Sequence, residues 1–80
     1  MKIIVREVAS DDWKAIYFND DKVLEDHHIE INDICEELQS LINDEFPIDF
    51  IKGEHYYLDD IYAEEYGFPD KFSDIPDEMI

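Results

Sequence analysis

Asn32–Asp44, with the sequence NDICEELQSLIND, is the stretch that decides the predicted fold. Its apolar residues recur at the i, i+3, i+4, i+7 spacing that places them on one face of an α-helix. Asn32 and Asp33 are both good N-cap residues, and Phe46-Pro47 ends the helix because the residue before a proline avoids the α region. We therefore predict an amphipathic helix over residues 32–44, packed through Ile34, Cys35, Leu38, Leu41 and Ile42.

The opposite face of this helix is acidic and contains no base. An ordinary exposed helix face pairs Glu with Lys four residues on, which contributes about 0.2–0.5 kcal/mol per pair. Here no Lys or Arg occurs between Lys22 and Lys52. A helix selected only for stability would carry Lys at some of these positions, so the acidity indicates something about the protein's partners.

The residues before the helix predict three strands. They are Lys2–Val8 and Trp13–Phe18, both rich in β-branched or aromatic residues, and the short Lys22–Glu25. Polar turns separate them, and the turn at residues 19–21 has no Gly, which predicts a loop longer than a tight hairpin.

The residues after the helix predict a fourth strand and a second helix. The strand covers Ile48–Lys52 and is broken by Gly53, whereas the helix covers residues 59–66 with Asp59 or Asp60 as its cap. The whole chain, residues 1–80, is thus expected to be one α+β domain. Its sheet has three or four mostly antiparallel strands, with the main helix on one face. The tail is expected to be pinned by Phe68, Phe72 and Ile75.

The net charge restricts the possible partners. Six Lys and Arg residues against 23 Asp and Glu residues give −17, and the chain is 45% hydrophobic and 14% aromatic. A chain this apolar folds, but direct binding to DNA, RNA or an anionic membrane requires a basic face that it lacks. A single cysteine allows no internal disulfide, and no apolar run is long enough for a signal peptide or membrane span, so we expect a cytoplasmic protein.

Catalytic and metal-binding constellations are weak. Cys35 could pair with His27 or His28 as nucleophile and base, but it belongs to the predicted core stripe, where an inert thiol is commoner. His28-Ile29-Glu30 matches only half of a zinc deaminase signature, and no calcium-loop or phosphate-loop pattern occurs. We therefore expect a protein that is not an enzyme and uses no cofactor or metal.

Acidic doublets distributed along the chain are the stronger functional signal. Carboxylates held at fixed spacing by a folded domain can occupy a basic groove in place of phosphates. This predicts a small inhibitor of the anti-restriction or anti-CRISPR type, of phages or mobile elements, that mimics nucleic acid and blocks a basic DNA- or RNA-binding protein. The residues expected to bind the partner are Glu36, Glu37, Asp44 and Glu45 on the main helix, with Asp59, Asp60, Glu64 and Glu65 beside them.

Two alternatives share this composition. An immunity or antitoxin-type protein would neutralise one basic toxin and would not compete with unrelated DNA. A housekeeping domain would be acidic for solubility alone, as a monomer or as a homodimer formed through an open sheet edge. Exposed tyrosines of the last third would add affinity to an interface in which charge gives mainly steering.

Overall fold

The computed structural model describes residues 2–42 and 50–80 and contains one mixed sheet with helices. The elements follow the order β1 (Lys2–Ser10), β2 (Trp13–Phe18), β3 (Asp21–Asp26), α1 (Ile31–Ile42), β4 (Phe50–Tyr57) and α2 (Asp60–Tyr66). Two 3-10 turns, Phe72–Asp74 and Asp77–Met79, follow α2. This is the α+β architecture that the sequence predicts.

The four strands lie in the order β3-β2-β1-β4. β1 pairs antiparallel with β2, and β2 with β3, but β4 runs parallel to β1. Parallel neighbours need a crossover connection, because a tight turn cannot join them. α1 lies within that connection, which leads from β3 at one edge of the sheet to β4 at the other.

The sheet has an apolar core on each face, because successive residues of a strand point to opposite sides. On one face Ile3, Ile16 and Phe18 are buried beneath α1, which contributes Ile34, Leu38 and Leu41. On the other face Val8, Ala15 and Tyr17 are buried beneath α2 and the chain that follows it, chiefly Leu58, Phe68 and Ile75. The helices therefore lie on opposite faces of the sheet.

The main helix differs from its prediction at its start and in one core residue. It begins at Ile31, and the Asp33 side chain accepts a hydrogen bond (2.9 Å) from the Glu30 backbone N–H. Asp33 thus acts as the third-position partner of a capping box rather than as the cap. Cys35 is exposed, so its expected place in the core was wrong. Among the described side chains, α1 packs on the core through the half-buried Ile34, Leu38 and Leu41. The side chain of Ile42 and residues 43–44 lie outside the description.

Two further local predictions were wrong. β4 continues through Gly53 to Tyr57, since eight consecutive β1 residues pair with it; the predicted start at Ile48 lies outside the described residues. The turn between β2 and β3 consists of only Asn19 and Asp20. Asn19 adopts the left-handed conformation (φ 57°) that a tight turn needs, which asparagine tolerates better than most residues.

The tail is fastened to the β2–β3 turn. Phe68 and Ile75 are buried and Phe72 is half-buried, as predicted. The Asp20 carboxylate accepts hydrogen bonds from the backbone N–H (2.7 Å) and hydroxyl (3.0 Å) of Ser73. In the portions of the chain that the structure covers, no helix combines the length and apolar character needed to cross a membrane.

Candidate acidic binding surface

Five of the six Lys and Arg residues are paired with acids of the sheet and tail. Arg6 Nε lies 3.1 Å from Glu54 Oε1, Lys14 Nζ lies 3.4 Å from Glu7, and Lys22 Nζ lies 2.6 Å from Glu25. Lys52 also pairs with Glu54 (3.3 Å) and Lys71 with Asp21. Within residues 2–42 and 50–80, no ion pair reaches a carboxylate of α1 or α2.

Glu54 is bound by three side chains of its own chain, Arg6, Tyr56 and Lys52. Its Oε1 accepts hydrogen bonds from the Tyr56 hydroxyl (2.8 Å) and from Arg6 (3.1 Å). The Tyr56 hydrogen bond, followed by that of Arg6, lowers the pKa of Glu54 below its ordinary value. This carboxylate is therefore bound within the sheet and is not part of the acids exposed on the helices.

α2 presents an acidic face from a defined backbone position. The Asp59 carboxylate caps the helix by accepting the Tyr62 backbone N–H (3.0 Å), and Gly67 ends it at φ 69°. Tyr62 and Ala63 pack on the core, whereas Asp60, Glu64 and Glu65 are exposed. Ile61 and Tyr66, by contrast, are 70% and 71% exposed and lie among these acids.

A cleft of about 380 Å³ separates α2 from the turn between β1 and β2. Asp11, Asp12 and Trp13 line it on the turn side, and Asp60 and Glu64 line it on the helix side. The buried Ser10 hydroxyl donates to Asp60 (2.7 Å), which ties the two sides together. At the cleft wall Trp13 is 39% exposed and its Nε1 donates to Glu25 (3.0 Å).

We use the name α2 acidic surface for the carboxylates on α2, at its cap and across the cleft. Those on the β1–β2 turn face those on the helix, and all of them are exposed. The surface consists of Asp11, Asp12, Asp59, Asp60, Glu64 and Glu65. No ion pair among the described residues reaches these carboxylates, so they form a negative patch with an aromatic side chain in its cleft.

The predicted binding residues do not form one group. Asp59, Asp60, Glu64 and Glu65 lie together on the α2 side, but Glu36 and Glu37 belong to α1 on the opposite face of the sheet. Glu36 is exposed and Glu37 is half-buried. Asp44 and Glu45 lie outside the described residues. The expectation that the α1 and α2 acids lie side by side was wrong, because the two helices cover different faces.

Asp11, Asp12 and Trp13 were not among the predicted site residues. The signal that could have found them is topological. Because β4 runs parallel to β1, the two strands end at the same end of the sheet, and the segments that follow them must meet there. Those segments are the Asp11-Asp12 turn and the start of α2.

The residues considered for catalysis have other contacts. His27 stacks on Trp13 with ring centroids 5.9 Å apart and lies 2.8 Å from Asp26, while His28 lies 3.1 Å from Glu30. In the described parts of the chain, no three His, Cys, Asp or Glu side chains are grouped so as to hold a metal ion. Both histidines are exposed and lie beside a carboxylate.

In comparisons with protein-family models, curated proteins and solved structures, nothing matches this chain.

Proposed function

We propose that this protein is a small, non-enzymatic inhibitor that occupies the nucleic-acid groove of a basic DNA- or RNA-binding protein. The observation that carries the proposal is the α2 acidic surface. Its carboxylates are exposed, and no cation of the described residues neutralises them. Lys and Arg side chains that normally bind phosphates would therefore find unpaired acids here.

The density of charge along the molecule supports the same proposal. Of the 23 acids, Asp44, Glu45 and Asp49 fall outside the described residues, which leaves 20 against six Lys and Arg, or −14. The longest dimension is 40 Å. That is one net negative charge per about 2.9 Å, compared with one per about 1.7 Å of duplex DNA. A groove built for a duplex would thus meet a comparable field.

Apolar anchors would add affinity to this electrostatic attraction. Charge complementarity mainly speeds association and selects partners, whereas buried aromatic and aliphatic groups slow dissociation. Ile61 and Tyr66 are exposed between the acids of α2, and Trp13 stands in the cleft. Inhibition would result from steric and electrostatic exclusion of the nucleic acid, without turnover.

The test is retention and displacement on an affinity column. The immobilised protein is loaded with a nucleic-acid-free cell extract and then eluted with a short duplex DNA at constant ionic strength. Parallel columns carry Glu64→Lys/Glu65→Lys, Glu36→Lys/Glu37→Lys and Asp74→Lys/Asp77→Lys, which change the net charge equally. Asp74 and Asp77 are exposed acids of the tail and serve as the control.

The expected result is that duplex DNA releases a basic protein from the wild-type and control columns. The α2 variant should lose at least about tenfold in retention, since reversing two charges removes attraction and adds repulsion. An equal loss of retention in all three variants would show that the binding depends only on nonspecific charge. A retained protein that duplex DNA does not displace would contradict mimicry and favour the immunity or antitoxin class.

The single tryptophan gives a direct second readout with the purified partner. Trp13 lies in the cleft, so its fluorescence should change when a partner covers the α2 acidic surface. The change should be reversed by duplex DNA and should weaken steeply with salt. Unchanged emission at saturation would place the contact elsewhere on the molecule.

A further inference from the structure

The outer edge of β4 differs from the rest of the surface. β4 is the last strand of the sheet, and no strand in the described residues pairs with its outer side. An edge strand of this kind offers unpaired backbone N–H and C=O groups to another chain. Ile51 and Tyr57 on β4 are 53% and 81% exposed, and Ile31 of α1 is 75% exposed.

These apolar residues lie on the side of the sheet that α1 covers. By register with β1, Ile51, Gly53, His55 and Tyr57 share the face of Ile3, which is buried beneath α1. A groove of about 270 Å³ runs there between α1 and the sheet, and Ile31, Gly53 and His55 contribute to its lining. As far as the described residues go, the edge thus combines backbone groups that no strand pairs with and exposed apolar side chains.

The charge of this edge is also unlike that of the whole protein. The edge strand β4 is neutral, with Lys52 against Glu54, and its inner neighbour β1 carries Lys2 and Arg6 against Glu7, in a chain of −17. A second copy of the chain, which the rest of the surface repels, meets least repulsion here. A strongly basic partner would be attracted elsewhere, to the α2 acidic surface.

We propose that two copies of this chain pair through their β4 edges, antiparallel about a two-fold axis, and form one continuous sheet. A two-fold axis makes the contact reciprocal, so each pairing occurs twice. Residues opposite each other must lie on the same face of the sheet. This leaves two registers that align most of β4, one centred on Gly53 and one centred on Glu54.

Electrostatics selects the register centred on Gly53. There Lys52 of each copy lies opposite Glu54 of the other, which adds two cross-strand pairs of opposite charge. The other register places Glu54 directly opposite Glu54, and like charges in that position destabilise a sheet. The first register therefore carries the charge complementarity. Because it leaves the α2 acidic surface free, this inference does not depend on the proposed function.

The register is tested by cysteine cross-linking in the full chain. Gly53→Cys is made in a Cys35→Ser background, because Cys35 is exposed and would react. A Cβ at Gly53 meets no atom within 4 Å, so the variant should fold. Opposed residues have Cα atoms about 4.5–5.5 Å apart, within the reach of a disulfide.

The matched control is His55→Cys in the same background, an exposed position on the same face of the same strand. In the proposed register the two copies of residue 55 are offset by four residues, or about 13 Å, too far to bridge. Mild oxidation should convert Gly53→Cys, and not His55→Cys, into a covalent dimer. Equal cross-linking of both variants overturns the register.

Sedimentation of the unmodified protein tests the association itself. The mass should rise from 9.6 kDa towards twice that value with concentration, and more readily at high salt, since screening reduces the repulsion between the copies. A 9.6 kDa species at about 1 mM protein and about 0.5 M salt overturns the proposal. The proposal would also be overturned if the protein stayed monomeric and its β4 amides became protected from hydrogen exchange only when a basic partner was added. Partner binding should weaken with salt, so the two proposals fail in different experiments.

Discussion

Tyr17 is the residue through which the sheet is tied most directly to the tail. It is fully buried, and its hydroxyl donates a 2.6 Å hydrogen bond to the Pro69 carbonyl. Burial, and next the nearby charge of Glu25, raises the pKa of Tyr17 well above the ordinary value for tyrosine. The folded protein therefore holds this proton more tightly than the unfolded chain does.

Tyr17→Phe should lower the free energy of unfolding by about 0.5–1.5 kcal/mol, because the Pro69 carbonyl loses its donor. Urea denaturation measures this, with Tyr57→Phe as the control. Tyr57 is 81% exposed and should change stability by less than about 0.5 kcal/mol. Equal effects of the two substitutions would contradict the role of the buried hydroxyl.

The Tyr17 proton also predicts a dependence on alkaline pH. A raised pKa in the folded state means that the contribution is complete below the unfolded pKa of about 10 and declines as pH rises above it. The urea midpoint should therefore fall above about pH 10, and Tyr17→Phe should flatten that fall. Part of the decrease in the urea midpoint should remain in Tyr17→Phe because of Tyr56, whose pKa is raised by its hydrogen bond to Glu54.

Asp20 fastens the tail to the β2–β3 turn, and the Ser73 backbone N–H that it accepts lowers its pKa. Asp20→Ala should release this attachment and speed tryptic cleavage after Lys71 in the folded protein. Asp74→Ala, in the same segment, should not. The difference in urea midpoint between wild type and Asp20→Ala should shrink as pH falls below about 4, the ordinary pKa of Asp, and should vanish once the folded carboxylate is protonated too.

At the scale of elements, periodicity predicted which segments form helices and strands but not all of their contacts. Apolar spacing in residues 31–42 is compatible with a stripe that includes Cys35, and only the orientation of α1 on the sheet excludes it. The extension of β4 through Gly53 was missed because local propensity disfavours glycine in strands, while pairing with β1 overrides it. The tight turn was missed because Asn19 takes the place of glycine.

The core-facing side of α1 can be tested with a pair of substitutions. Leu38→Ala should reduce the free energy of unfolding by about 1–2 kcal/mol, less than for a fully buried leucine because the site is half-buried. Cys35→Ala should change it by less than about 0.5 kcal/mol, since that side chain is exposed. Chemical denaturation of both variants measures these changes. A larger effect of Cys35→Ala than of Leu38→Ala would contradict the orientation of α1 on the sheet.

At the scale of the molecule, the sequence shows how much charge there is but not where it gathers. The acids of α2 were found from the sequence because they are adjacent along the chain. Their neighbours Asp11 and Asp12 were not found, because they come from a turn about 50 residues earlier and meet α2 only through the parallel pairing of β4 with β1. The separation of the α1 acids from the α2 acids depends on the same topology, since it decides which face each helix covers.

A net charge of −17 on 80 residues should make stability depend on salt. Repulsion among the carboxylates destabilises the compact state, and ions screen it. The melting temperature should therefore rise between about 10 mM and about 0.5 M sodium chloride. Glu64→Lys/Glu65→Lys should show a smaller rise, because it removes part of the repulsion. A fall in the melting temperature of the wild type with added salt would mean that the ion pairs of the sheet contribute more than the repulsion among the carboxylates.

The parallel pairing of β4 with β1 has a consequence for the order of folding. The antiparallel hairpins β1–β2 and β2–β3 close over short loops, and hairpins form within about 1–10 μs. Contacts between β1 and β4, such as Arg6 with Glu54, join residues 48 apart and must close a far longer loop. The three-stranded meander should therefore assemble first. The transition state would then contain β1–β3, and destabilising substitutions in β4 or the tail would mainly speed unfolding rather than slow folding.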